Sequence, residues 1–172
     1  MPFVHVALLR GINVGGNNKL PMRDLVAIFE EAGCTDVKTY IASGNVVFRA
    51  ASVTTLGARI TKAIEQKLKL KIPVVLRTHK ELVDAVQHNP FDEGVYVMFL
   101  ATKPSRAAVA SLDPNRSPPD EFVVMGREIY LNLPNSAAKT KLTNAYFDRL
   151  LDTVSTSRNL RTVQKLVEMS AG

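Results

Sequence analysis

Little in this chain announces a mechanism. Among 172 residues there is one cysteine, no tryptophan and three histidines. A single Cys34 cannot form an internal disulfide, and its place just after Gly33, at the end of an apolar helix pattern, marks a small buried residue rather than a nucleophile. His5, His79 and His88 are too scattered for a metal motif, and there are no cysteine pairs to complete one. His5 is expected in a strand within the core, His79 exposed in the first turn of a helix. No Ser, His and Asp set can be assembled, so the sequence assigns no catalytic residue, cofactor or metal. Long apolar runs are also missing. The run Val6 to Leu9 is far too short to span a bilayer and the first ten residues lack a cationic leader, so a cytoplasmic protein without a membrane partner is expected. No Gly/Ser-rich or low-complexity stretch interrupts the chain, which excludes a flexible linker.

What is present is a regular alternation of apolar strands and amphipathic helices. Hydrophobic residues make up 46% of the chain, enough for a proper core in one domain or two small ones. Residues 3 to 10 read as a strand covered on both faces, because both alternating sets are apolar. Pro21 opens a helix that Gly33 ends. Strands at 37–41 and 46–49 flank the turn Ala42-Ser43-Gly44-Asn45, a second helix follows along Leu56, Ile60, Ile64 and Leu68, and Pro73 to Arg77 gives a fourth strand. The order is βαββαβ. Thr78 and Glu81 form a capping box for a helix to about His88, and Val95 to Leu100 is the next strand. A short helix starts at Pro104, Phe122 to Met125 and Glu128 to Leu131 form a hairpin, and helices around 139–151 and 159–169 close the chain, the last capped by Thr156 or Ser157. Val4 to Leu9 echoes Val95 to Leu100, and the two hairpins align through Gly44 and Gly126. The expected class is therefore α+β: two related ferredoxin-like halves, βαββαβ over 1–77 and αβαββαα over 78–172, with antiparallel or mixed sheets covered by helices.

Chemistry concentrates where the first strand ends. Arg10, Gly11, Asn13, Gly15, Gly16 and Lys19 combine a forked cation, close-approach glycines and an ammonium just before a helix start, a composition suited to a phosphate or carboxylate. The spacing is neither GxxxxGK[ST] nor GxGxxG. The same residues could simply build a bend, with the asparagines capping local backbone. Ser43 and Asn45 in the following turn, and Lys141, Arg158 and Asn159 near the C-terminal helix, are the other polar candidates, though a capped helix with a solvated cationic face needs no ligand. Ser136-x-x-Lys139 lacks the companion elements of penicillin-binding enzymes. The adjacent acids Glu30-Glu31 and Asp120-Glu121 point in different directions and solvate surfaces. Between Arg59 and Lys80, seven basic residues face one acid, an excess equal to the whole net charge of +6. That run is either a basic patch or the solvated carboxyl end of a helix.

The strings LLRGINVGGNNKLPM (8–22), YIASGNVVF (40–48), KTKLT (139–143) and TSRNLRTVQKL (156–166), in this order, resemble a widespread bacterial family, domain of unknown function 1697. The resemblance implies a two-part α+β fold and no activity. Its recurrent positions map onto Arg10, Gly11, Asn13, Gly15, Gly16, Lys19, Ser43, Gly44, Asn45, Lys141, Arg158 and Asn159; the chain departs from it at Lys139 to Leu142, in place of Ser-Lys-Leu, and at Leu160, in place of Trp. Three functions are in play. The first is binding of a small anionic, phosphate-bearing ligand at the Gly/Asn-rich loop. The second is nucleic-acid binding, suggested by a pI near 9.6 and an RNA-recognition-like strand order, against which stand the apolar strand faces and the missing sheet aromatics. The third is a non-catalytic interaction scaffold.

Overall fold

The structure, a computed structural model, describes residues 2–13, 16 and 18–172. Within them the elements run β1 (Phe3–Leu9), α1 (Met22–Glu31), β2 (Thr35–Tyr40), β3 (Asn45–Ala50), α2 (Leu56–Leu68), β4 (Val74–Thr78), α3 (His79–Gln87), β5 (Val95–Leu100), α4 (Arg106–Ala110), β6 (Glu121–Met125), β7 (Glu128–Asn132), α5 (Asn144–Leu151), β8 (Ser155–Asn159) and α6 (Leu160–Met169). The chain divides into two compact units, residues 1–83 with 165–172, and residues 84–164. Each holds one four-stranded sheet, ordered β2-β3-β1-β4 in the first and β6-β7-β5-β8 in the second, with every strand pair antiparallel.

The two sheets agree in order and in the register of their central pairs, while the outer pair β2–β3 alone is shifted between Thr35 and Lys38. Val4 faces Arg49 and Val6 faces Arg77 in the first; Val95 faces Asn132 and Val97 faces Arg158 in the second. The hydrogen bonds where the first strand of each sheet ends also repeat. Leu9 N donates to Gly44 O at 2.9 Å and Arg10 N to Pro73 O at 3.1 Å; Leu100 N donates to Arg127 O at 2.8 Å and Ala101 N to Val154 O at 2.8 Å. A shared register across strands so different in composition is the structural content of the echo between Val4 to Leu9 and Val95 to Leu100.

Alternation along the strands explains each core. In the first unit, Ala7, Leu9, Val46 and Phe48 pack with Leu25, Ile28 and Phe29 of α1 and with Leu56, Ile60 and Ile64 of α2. In the second, Met98, Leu100, Ile129 and Leu131 pack with Tyr146, Phe147 and Leu151 of α5. A fully buried side chain of this size stabilises by about 1.5–3 kcal/mol relative to leaving it in water, so these apolar faces hold the helices on the sheets. Phe29 and Phe48 meet at 5.2 Å between ring centroids, and Phe122 and Phe147 at 5.4 Å, edge to face.

Several local expectations hold. Gly33, with φ of +97°, follows α1 as its left-handed terminator. The capping box is present in both directions: Glu81 N donates to Thr78 Oγ1 at 3.1 Å and Thr78 N to Glu81 Oε1 at 3.0 Å. Three expectations are corrected. The second half is not αβαββαα, because β8 separates its last two helices; its sequence Ser-Thr-Ser-Arg-Asn carries no apolar alternation and is held as a strand by pairing with β5. The cap of α6 is Asn159, whose Oδ1 accepts from Thr162 N at 2.8 Å, not Thr156 or Ser157. His79 is half-buried rather than exposed, its Nδ1 lying 2.9 Å from Ser170 Oγ.

Candidate functional site

The connection from β1 to α1 is shaped by asparagine side chains acting on the backbone. Asn13, in a left-handed conformation with φ of 55°, donates from Nδ2 to Leu20 O at 2.9 Å and to Ala42 O at 2.8 Å, while its Oδ1 accepts from Leu20 N at 2.8 Å. Its own N–H donates to Asn18 O at 3.1 Å, and Asn18 Nδ2 reaches back to Gly11 O at 2.7 Å. The loop is thus closed on itself at both ends and fastened to the β2–β3 turn. Asn45 serves that turn: fully buried, it donates to Tyr40 O at 3.0 Å and to Ser43 Oγ at 3.1 Å. These amides make the local contacts that a structural role requires.

Beside this clasp lies an open cavity of about 430 Å³. Asn13, Gly16, Lys19 and Ala42 border it, and Leu20, Pro21 and Met22 give it an apolar wall. Among the described residues Lys19 makes no ion pair, and it is exposed at the edge of the cavity. Pro21, at the amino end of α1, supplies no side-chain cap; its carbonyl accepts from Asp24 N at 3.0 Å, and the Asp24 carboxylate in the first turn offsets part of the positive charge at the amino end of that ten-residue helix, leaving the amides of Met22 and Arg23 outside the helix ladder. Arg10, Gly11, Ser43 and Asn45 do not line the cavity. Gly15 lies outside the described residues. The wall from Leu20 to Met22, together with Ala42, was not singled out by sequence reasoning; the signal available was an apolar triplet directly after a polar, cationic loop.

The remaining candidates belong to the second unit. Lys141 is exposed in the segment before α5, where its N–H donates to Ser117 Oγ at 3.0 Å and its carbonyl accepts from Arg116 Nε at 2.9 Å. Arg158 sits on β8, only 8% exposed, and donates from Nη1 to Thr156 Oγ1 at 2.7 Å and to Ser157 O at 2.8 Å. Burial lowers this guanidinium to about 10, because taking the charge from water disfavours the protonated form. Asn159, exposed at the end of β8, is occupied as the cap of α6.

Among the described residues no group of three His, Cys, Asp or Glu side chains could hold a metal ion, and no helix is long and apolar enough to cross a membrane. Cys34 is buried, and desolvation raises its thiol pKa, away from the reactive thiolate. From Val6 to Leu9 both faces of β1 are buried, so this part of the strand offers no exposed platform on which bases could stack; Phe3, at its start, is exposed. Within the basic run, Lys67 is in the last turn of α2, 4.0 Å from Asp24, Lys69 is the left-handed cap, and Arg77 is buried on β4.

The model of the DUF1697 family, described as a protein of unknown function, matches residues 3–130. The chain belongs to this family. Among solved structures it is similar to the conserved bacterial protein SP0830 from Streptococcus pneumoniae, with 22% identity, a TM-score of 0.72 and all of both chains covered. That likeness concerns the fold. No match is found among curated proteins.

Proposed function

We propose that the protein binds a small amphiphilic anion, a phosphate- or carboxylate-bearing molecule with an apolar body, in the cavity at the β1–α1 connection. The observation that carries this reading is the union of one unpaired ammonium, Lys19, with an apolar wall in a hollow of about 430 Å³, within the size range typical of small-molecule sites. The negative head would lie against Lys19 and the first-turn amides of α1, and the body along Leu20 to Met22. Arg10 does not line the cavity, so its contribution is to the field alone. The walls carry no carboxylate, imidazole or thiol among the described residues, so the reading stops at binding and names no reaction.

A thermal-shift panel of nucleotides, sugar phosphates and aryl phosphates tests it, with Lys19→Ala and Arg10→Ala as comparisons. A ligand present at 100 times its Kd stabilises by about 2.7 kcal/mol, which for a chain of this length raises Tm by roughly 5–10 °C. Lys19→Ala is expected to lose most of that rise and Arg10→Ala a smaller part. A flat response across the whole panel, or a Lys19→Ala protein that responds like the parent, would overturn the reading.

A further inference from the structure

The repeat of strand order and register has a counterpart in empty space. In the second unit an open cavity of about 310 Å³ lies at the β5–α4 connection, the position equivalent to that of the first cavity, and is lined by Lys103, Pro104, Arg106, Val109, Val124 and Gly126. Like the first, it takes its walls from the connection after the first strand of its sheet, from the helix that follows and from the outer hairpin. It brings together two exposed cations and an apolar wall. Among the described residues neither Lys103 nor Arg106 makes an ion pair, so no internal acid satisfies them. The amino end of α4 takes no part, because Ser105 Oγ already accepts from Ala108 N at 3.1 Å.

We propose that the second half carries its own binding site, with Lys103 and Arg106 holding the head of a phosphomonoester and Pro104, Val109 and Val124 its apolar body. The class of ligand rests on the reading given for the first cavity; the site itself rests on the second cavity, its two unpaired cations and the repeat. A guanidinium makes a forked contact with two phosphate oxygens and an adjacent ammonium adds a point charge, so a doubly charged head suits this hollow better than a carboxylate.

An NMR titration of the full chain with phenyl phosphate reads both cavities at once, through the backbone amides of residues 18–20, 22 and 42–44 for the first and 103, 105–110 and 124–127 for the second. Both sets are expected to shift and saturate. In K103Q/R106Q, changed only at exposed positions, the second set should need about tenfold more ligand or stop responding, which corresponds to about 1.4 kcal/mol or more; the first set should be unchanged. In K19Q the pattern should reverse. A second set that stays silent in the parent, or that follows Lys19 instead of Lys103 and Arg106, would overturn the proposal while leaving the first cavity standing. A second set that responds while the first stays silent would support this site and remove the reading of the first. Unperturbed spectra elsewhere in each variant report that the fold is intact.

Discussion

In the first half the chain leaves β1 and needs residues 10–21 to reach a ten-residue helix, α1; in the second it leaves β5 and reaches the five-residue α4 after residues 101–105. The central strand pairings around that difference repeat. The strand orders match, the register of the central pairs matches, and the backbone bonds that receive the chain at the strand end match. The longer connection is closed by the amides of Asn13 and Asn18 and leaves its helix uncapped beside one ammonium, whereas the shorter one caps its helix with Ser105 and sets two cations at its cavity. The sheet thus fixes where a hollow forms, and the connection decides what chemistry lines it.

The sharpest way to break the comparison is at the turns that receive the two strand ends. A Cβ on Gly44 would stand 2.8 Å from Leu9 Cβ and 3.1 Å from Ile12 Cδ1, at a φ of +92°, whereas a Cβ on Gly126 would meet nothing within 4 Å at a φ of +59°. Gly44→Ala adds a clash to left-handed strain and should cost roughly 2–5 kcal/mol in urea melts. Gly126→Ala bears the strain alone, about 1–2 kcal/mol. Equal losses would mean that the close approach of Leu9 and Ile12 to Gly44 adds no cost of its own.

Next in size is the clasp. Asn13→Ala removes three side-chain hydrogen bonds and should destabilise by roughly 2–3 kcal/mol, measured by denaturation, while weakening any ligand response at the first cavity and none at the second. Smaller again are the helix caps, which occupy equivalent places: Thr78 before α3 and Asn159 before α6. Thr78→Ala and Asn159→Ala should each cost about 1 kcal/mol. A large inequality would show that one cap has taken on a further task.

The smallest expected effect is an acid-side pH dependence from His5 in the first half. His5, half-buried and stacked on Phe48 at 5.8 Å, has its pKa lowered from 6.5 by desolvation, with Glu81 pulling the other way. The folded imidazole therefore binds its proton less tightly than the unfolded one. Its contribution to stability is complete above pH 6.5 and declines as the pH falls through the lowered value. In His5→Phe the acid side of the stability profile should flatten. The equivalent position of β5 is Tyr96, which has no imidazole to lose.

Much of the fold was legible because its periodicities are strong. Apolar residues on both faces of Phe3–Leu9 and Val95–Leu100, and helical stripes such as Leu56-Ile60-Ile64, permit little else. β8 was not legible. Ser155 and Thr156 are buried through hydrogen bonds, Ser155 Oγ donating to Asp148 Oδ1 at 2.6 Å and accepting from Asn144 Nδ2 at 2.9 Å, and a pattern search registers only apolar burial. Its repeat partner offered a clue: Arg77-Thr78 before α3 corresponds to Arg158-Asn159 before α6. At the candidate site the composition of the loop was readable, but the allocation of its amides was not. Whether Asn13 turns toward a ligand or toward Ala42 O depends on a hairpin distant in sequence, and the wall from Leu20 to Met22 becomes visible only once that hairpin is in place.

The way Asn13 is tied also bears on how quickly and how selectively the first hollow could fill. Because its amide bridges Leu20 and Ala42, that part of the rim is ordered by the chain's own hydrogen bonds. Less freedom then remains to be surrendered there on association, and discrimination falls to size and charge at the entrance rather than to a rearrangement of that rim.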